Sequence, residues 1–295
     1  YFYGKMDMNQ TESPTIQLRK LLAQPGLVVA PGCYDAVSAK LIERAGFAAA
    51  YMTGFGSTAS VLGLPDAGIM DFTQMTTHAG NLANVLNIPL IADADTGYGN
   101  AINTHRTVQT YARSGVAGIQ LEDQVSPKRC GHTAGKAVIP LSEMLGKLRA
   151  ARDASAEIVI VARTDARAVE GFDSALERCL AFEETGADVI FFEAPRSLEE
   201  MQEIAKHLHK PLLANMVEGG HTPFLRGSEL ETLGFKLAIY PVTLLLSAVH
   251  AMQKQLQRLR EEDHESMRPE QVSFQELQTL VGFPEYDTMS KRYQA

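Results

Sequence analysis

The sequence predicts a (β/α)8 TIM barrel with extra C-terminal helices, on two observations. Eight short apolar runs recur from Leu27 onward, nearly continuous and rich in β-formers, and helical patterns separate them. Such runs mark strands buried on both faces of a parallel sheet. Eight strand–helix units of roughly 20 to 40 residues match the count and spacing of the barrel. The competing doubly wound sheet wants a glycine-rich phosphate turn after its first strand. No such turn follows, and "TGFGSTAS" at 53–60 lacks the third glycine.

In chain order, strands are expected at "LVVAP" (27–31), "FAAAYMTG" (47–54), "PLIADAD" (89–95) and "AGIQLED" (117–123). The remaining four are "IVIVARTD" (158–165), "ADVIFFEA" (187–194), "PLLANM" (211–216) and "LAIYP" (237–241). Between them, "YDAVSAKLIERAG" and "LSEMLGKLRAARDA" place apolar residues at i, i+3 and i+4, and the first stops at a glycine. A long helix is expected through "VTLLLSAVHAMQKQLQRLREE", then a polar linker near "DHESMRPEQ". In the last segment, Ser273 and Glu276 stand three apart as a capping box. Residues 11–262 are thus assigned to the barrel and 263–295 to a helical extension that packs on the barrel or on a neighbouring subunit. Residues 1–10 are set apart, because "YFYGKM" resembles the remnant of an expression tag.

Hydrophobic content of 45% with 21% charge suits a soluble globular chain with a sizeable core. The net charge of −8 argues against a nucleic-acid partner, which wants a basic face. No apolar run approaches the roughly 18 residues that span a membrane. The three cysteines, at 33, 130 and 179, are too scattered for a disulfide framework and point to a reducing cytoplasm.

Barrel active sites are built at the C-terminal ends of the strands. Those ends read Tyr51, Thr53 and Gly54; Asp93 and Asp95; Glu122 and Asp123; Arg163 and Asp165; Glu193; and Asn215 with Glu218 beyond. Asp93 and Asp95 are two apart and point the same way. Crowded carboxylates repel unless a cation sits among them. Oxygen donors without thiolate or imidazole suit Mg2+ or Mn2+, with one or two acids bound directly and others through water. Asp123 and Asp165 read equally well as helix caps or ion-pair partners. Arg163 is a clamp for a substrate carboxylate or, alternatively, an internal counter-charge.

The loop "DQVSPKRCGHTAGKAVIP" (123–140) concentrates Lys128, Arg129, Cys130 and His132 between glycines. Cys130 and His132 are too close for zinc-finger pairs, and no second pair exists. A nucleophile sits more naturally on a rigid element than on a long polar loop. Lys128 and His132 beside the thiol favour easy proton exchange, so a proton donor on a mobile lid fits the features best. The plain alternative is an exposed basic loop with an incidental cysteine.

"PGCYDA", "LGLPDAGIMD", "DADTGYG", "LEDQ", "KRCGH", "ARTDA" and "NMVEGG", in a chain of 295 residues, together resemble the isocitrate lyase/phosphoenolpyruvate mutase superfamily. The "KRCGH" loop resembles that of its carbon–carbon lyases, the 2-methylisocitrate and 2,3-dimethylmalate lyases; phosphonomutases and oxaloacetate decarboxylases of the superfamily generally lack the cysteine. The resemblance implies Asp93 as a direct Mg2+ ligand, with Asp66, Asp95 and Glu122 acting through water. Thr53, Gly54 and Phe55, beside Tyr51, would meet the 2-oxo-acid half of a substrate. Arg163, Glu193 and Asn215 would bind its carboxylate and oxygens, and Cys130, Gly131 and His132 would close over the other half.

The implied reaction cleaves a C2–C3 bond in a substituted 2-hydroxy dicarboxylate or tricarboxylate, giving pyruvate or glyoxylate and a carboxylic acid. Cys130 would protonate the resulting carbanion, and Tyr51 or a metal-linked carboxylate would take the C2 hydroxyl proton. The resemblance also implies a homotetramer that exchanges its C-terminal helices. Oxaloacetate hydrolases of the superfamily tend to carry serine where this chain has Pro241, and proline cannot donate to a hydrated ketone. Hydrolysis or decarboxylation of oxaloacetate is therefore the second enzymatic expectation, and a non-catalytic oxo-acid-binding barrel the third. His221 is either a contact for the distal carboxylate or a solvated turn residue.

Overall fold

A computed structural model describes residues 12–130, 135–261 and 271–294. Gly131 and His132 lie outside them. Elements follow in the order α1 (Pro14–Ala23), β1 (Val28–Cys33), α2 (Ala36–Arg44), β2 (Ala50–Met52), α3 (Gly54–Leu62), α4 (Phe72–Val85), β3 (Leu90–Asp93), α5 (Ala101–Arg113), β4 (Gly118–Glu122) and α6 (Leu141–Ala154). Then come β5 (Val159–Thr164), α7 (Ala166–Val169), α8 (Phe172–Glu184), β6 (Val189–Phe192), α9 (Leu198–His207), β7 (Leu213–Asn215), α10 (Gly227–Leu233) and β8 (Leu237–Tyr240), followed by α11 (Thr243–Glu261), α12 (Phe274–Val281) and α13 (Phe283–Tyr293).

All strand pairs are parallel, and the sheet runs β6-β5-β4-β3-β2-β1-β8-β7. A parallel bridge between Ile190 and Leu212 brings its two ends together, so the sheet closes into the expected barrel. Closure removes the edge strands that would otherwise leave backbone donors and acceptors unpaired.

Alternation along the strands divides the apolar residues into two clusters. Val28, Ala30, Tyr51, Ile91, Val159, Val161, Val189, Phe191, Leu213, Leu237 and Ile239 fill the barrel interior. Their neighbours, among them Met52, Ala92, Ile119, Ile160, Ile190 and Ala238, face the helices and join Leu82, Leu148, Phe182 and Ile204. Successive strand residues point to opposite faces, so parity in the sequence decides which layer each joins.

Helix α1 closes the N-terminal end. Ser13 caps it, its hydroxyl accepting from the Ile16 N–H, and Pro14 opens it. Leu18 on α1 is fully buried in the interior cluster. A Cβ at Gly118 would lie 3.0 Å from Leu18 Cδ2, so the glycine at the start of β4 leaves room for this plug.

The chain divides into two compact units, Tyr1–Leu244 and Leu245–Ala295. The division falls in the first turn of α11, so most of that helix groups with the extension. Within the second unit, α12 and α13 meet at Gly282, and Ser273 and Glu276 form a capping box with N···O distances of 2.9 and 3.1 Å. No helix among the described residues is long and apolar enough to cross a membrane.

Candidate active site

The interior columns that are apolar low in the barrel turn polar at their C-terminal ends. Ile91 is followed by Asp93, Val161 by Arg163, Phe191 by Glu193 and Leu213 by Asn215, each two residues further along. Gln120 and Glu122 occupy the same parity on β4. All six side chains belong to buried residues. Parity therefore delivers them to one mouth.

Asp93 is held from several sides. Its Oδ1 accepts from the Asp95 N–H at 2.9 Å and from Gln120 Nε2 at 3.4 Å, and its carbonyl accepts from the Tyr111 hydroxyl at 3.1 Å. Asp95 adopts a left-handed φ of 48°, unusual for a non-glycine residue, which turns the chain back over Asp93. A Cβ at Gly54 would lie 2.3 Å from Asp93 Oδ2. Only glycine allows the start of α3 to approach that carboxylate so closely. Thr53 precedes it as N-cap, its hydroxyl accepting from the Gly56 N–H at 3.2 Å. Phe55 stands beside it, 39% exposed.

Lys128 crosses from the loop after β4 into this cluster. Its Nζ lies 2.7 Å from Asp66 Oδ1 and 2.8 Å from Asp95 Oδ1. The expectation that Lys128 acidifies Cys130 changes accordingly, because its charge is committed to two carboxylates. Burial opposes its protonated form, but Asp95, Asp93, Glu122 and Asp66 together outweigh that and hold its pKa well above the ordinary value.

Arg163 forms a bidentate pair with Asp165, Nε to Oδ2 at 2.8 Å and Nη2 to Oδ1 at 3.0 Å. It also lies 3.4 Å from Glu122 Oε2 and 3.8 Å from Glu193 Oε1, with its guanidinium 5.0 Å from the centroid of Phe191. The internal counter-charge expected as an alternative is thus present, and no described bond engages Nη1. Asn215 Nδ2 donates to Glu193 Oε2 at 3.2 Å. Lys136, from the far arm of that loop, reaches Asp165 Oδ1 at 2.8 Å.

Asp66, Asp93, Asp95, Glu122, Asp165 and Glu193 face three cations, Lys128, Lys136 and Arg163, so carboxylates are in excess. Burial raises the pKa of Asp93, takes Asp95 to about 6, and lifts Glu122 well above the usual carboxylate range. Glu122 Oε1 is buried without a hydrogen-bond partner. Asp95 Oδ1 has only the ion pair with Lys128, at an angle outside hydrogen-bond geometry. Among the described residues, no three acids, histidines or cysteines converge as a ready coordination sphere. A hard cation that binds one carboxylate directly and keeps several waters fits that donor set.

The hydroxyl of Tyr51 donates to Gln120 Oε1 at 2.8 Å, and burial, followed by the charge of Asp93, pushes its pKa well above the ordinary value. A phenol held protonated and directed at an amide is poorly placed to accept a proton. Through Gln120, whose Nε2 donates to Asp93 Oδ1, Tyr51 is linked to Asp93. Asp123 is also structural. It accepts from the Thr164 hydroxyl, the Asp165 N–H and Arg178 Nη1 at 2.7, 2.9 and 3.2 Å.

The two arms of the loop after β4 form a short antiparallel stem. Val125 N–H donates to Ala137 O and Ile139 N–H to Asp123 O, both at 2.8 Å. Cys130 follows the first arm and is half-buried, whereas Cys33 and Cys179 are buried and burial pushes the Cys33 thiol to about 12. His221 stands exposed between β7 and α10, and the Glu218 carboxylate accepts from the Thr243 hydroxyl. Pro241, just past β8, places its carbonyl oxygen where a Cβ on Gly32 would come within 2.4 Å. Sequence reasoning passed over Gln120, Gln124 and Lys136. The parity shared by Gln120 and Glu122 was the available signal for the first; the other two depend on tertiary placement.

Fold and mouth together define a (β/α)8-barrel enzyme with an acidic, lysine-balanced centre. The family model for phosphoenolpyruvate phosphomutase matches residues 18–260. A 2,3-dimethylmalate lyase from Eubacterium barkeri is 46% identical over 280 residues, covering 94% of this chain and 97% of that protein. A 2-methylisocitrate lyase from Aeropyrum pernix is 42% identical over 277 residues, covering 94% and 90%. Among solved structures, a 2,3-dimethylmalate lyase described as a PEP mutase/isocitrate lyase superfamily member aligns with a TM-score of 0.91 at 38% identity, covering 95% of each chain. An oxaloacetate acetylhydrolase bound to 3,3-difluorooxalacetate aligns with a TM-score of 0.90 at 40% identity, covering 95% and 96%. The chain belongs to the phosphoenolpyruvate phosphomutase family, within the PEP mutase/isocitrate lyase superfamily of enzymes.

Proposed function

We propose that the protein is a Mg2+-dependent carbon–carbon lyase, Mn2+ being a substitute, that cleaves a substituted 2-hydroxy dicarboxylate or tricarboxylate. The substrate is of the 2,3-dimethylmalate or 2-methylisocitrate type, and the products are a 2-oxo acid, pyruvate or glyoxylate, and a carboxylic acid. The observation that carries this reading is the pairing of an acid-rich barrel mouth with one cysteine outside the core, Cys130, on the arm whose Lys128 enters that mouth.

Asp93 would hold the metal directly, with Asp66, Asp95 and Glu122 acting through water. A bound Mg2+ supplies Lewis acidity towards the substrate's 2-hydroxyl and neighbouring carboxylate oxygens. The backbone from Thr53 to Phe55 seats the 2-oxo-acid half against the start of α3, where N–H groups point at an anion. Arg163, Glu193 and Asn215 orient its oxygens. A carboxylate of the cluster takes the C2 hydroxyl proton as the C2–C3 bond breaks, and the electron pair stays on C3, delocalised into the adjacent carboxylate. Cys130 gives its thiol proton to C3.

Similarity to the acetylhydrolase favours a second reading, hydrolysis of oxaloacetate to oxalate and acetate. Pro241 offers no donor there, which favours the lyase. A Mg2+-supplemented panel of 2,3-dimethylmalate, 2-methylisocitrate, isocitrate and oxaloacetate separates the two by product. Oxalate from oxaloacetate, with no 2-oxo acid from the others, would replace the first reading by the second. Absence of turnover across the panel would leave an oxo-acid-binding barrel.

The three free thiols suit a reducing cytoplasm. Apolar residues Leu245, Val249, Met252, Leu256 and Leu259 recur at three- and four-residue spacing on α11 and supply a face for exchange between subunits of a homotetramer. Light scattering at micromolar concentration tests that assembly, and a monomeric mass would overturn it.

A further inference from the structure

We infer that Gln124 is a positioning residue for Cys130, one that fixes the direction in which the chain leaves the barrel to present the thiol; this rests on the acid role proposed for Cys130. Gln124 is 1% exposed. Its Oε1 accepts from the Arg129 N–H at 2.9 Å, and its Nε2 donates to the Arg129 carbonyl oxygen at 2.8 Å. A single side chain therefore satisfies both backbone groups of the residue immediately before Cys130. An amide is suited to this, since it carries one acceptor and two donors on the same planar group.

Gln124 is itself anchored. It bridges Val138 in the stem, and Asp123 beside it is tied to Thr164, Asp165 and Arg178. Lys128 adds a second attachment, to Asp66 and Asp95. The arm from Gln124 to Arg129 is thus a stapled turn, and Cys130 is the first residue past the staple. On the far arm, Lys136 is fastened to Asp165. A proton donor must reach the reacting carbon within a fraction of an ångström, and misplacement by about 1 Å costs on the order of 100-fold in rate.

Gln124→Met keeps the length and bulk of the side chain and removes both hydrogen bonds. Because Cys33 and Cys179 are buried, the rate of native alkylation by iodoacetamide, followed on the peptide carrying Cys130, reports how that thiol is presented. The expected result is an alkylation rate altered by roughly fivefold or more. On the substrate that the panel identifies, kcat should fall roughly 10- to 100-fold with KM nearly unchanged. A lowered Tm with alkylation and kcat both at wild-type values would overturn the proposal, showing a purely structural glutamine. Altered alkylation with unchanged kcat would overturn it equally.

Should Gln124→Met fail to fold, Gln124→Glu provides the same readouts, since it keeps the oxygen that accepts from Arg129 and loses the donor. Cys130→Ser is measured alongside. Wild-type turnover in Cys130→Ser would defeat the acid role while leaving alkylation to judge whether Gln124 sets the thiol's placement.

Discussion

Lys128 and Asp66, 62 positions apart in sequence, meet at 2.7 Å with side chains only 4% and 7% exposed. The contact joins the loop after β4 to the segment between α3 and α4, and it brings a positive charge into a cluster of buried acids. Removing one partner of such a pair strands the other in a medium that solvates it poorly.

Lys128→Met is therefore expected to destabilise the protein by about 3 kcal/mol or more in metal-free buffer. Saturating Mg2+ should recover part of the loss, because a cation again balances the acids. Urea unfolding with and without Mg2+ measures both effects. A deficit below about 0.5 kcal/mol would mean that the pair is solvated in solution and contributes as little as a surface bridge.

Cys130→Ser keeps the size of the side chain and weakens its acidity. Turnover is expected to fall by roughly 100- to 10,000-fold, the range for loss of a general acid, with the unfolding midpoint unchanged. Turnover within threefold of wild type, measured by 2-oxo-acid release, would remove Cys130 from the chemistry.

Tyr51→Phe separates a positioning role from a basic one. Loss of the bond to Gln120 should cost about 1 kcal/mol of stability and roughly tenfold in rate, by loosening Asp93. A 100- to 10,000-fold fall in rate, with a change in the alkaline limb of the pH profile, would return the base role to Tyr51.

Gly54→Ala pushes a methyl group against Asp93 Oδ2, to which the built Cβ lies only 2.3 Å away. The carboxylate has to move, and Mg2+ affinity should drop roughly 10- to 100-fold, the usual cost of disturbing a ligand's support. Isothermal titration with Mg2+ reads this without any substrate. Unchanged affinity would show that Asp93 is not a direct ligand.

Asp123 gives a pH signature. Burial raises its pKa from 3.8 to about 6, with hydrogen bonds from Thr164 and Asp165 opposing the shift. The folded state therefore holds this proton more tightly than the unfolded chain does. Its contribution to stability is complete below about pH 4 and is lost as pH rises through about 6, by about 3 kcal/mol. The stability difference between wild type and Asp123→Asn should shift against the wild type by most of that amount, about 2 kcal/mol, between pH 4 and 7. Parallel urea-unfolding profiles for the two proteins would show that Asp123 titrates normally.

The barrel was legible because strand burial is written in consecutive apolar positions and helix burial in a different period. The acids at strand ends stood out against apolar runs for the same reason. Local competition set the boundaries. The run at 47–54 forms a strand only at Ala50–Met52, because Thr53 turns its hydroxyl to Gly56 and begins α3. Helix α1 escaped notice, although Ser13 followed by Pro14 is a helix-start signature. Lys128 read as a neighbour of Cys130 because the two are adjacent in the loop. Its partners Asp66 and Asp95 lie elsewhere in the sequence, and only the closed barrel brings them together.

Leu18 fills the barrel at the end opposite the acids, beneath an interior packed with apolar side chains. What secures the barrel and what crowds its mouth with charge are thus lodged at opposite ends, and the N-terminal helix can change without any residue of the mouth being touched.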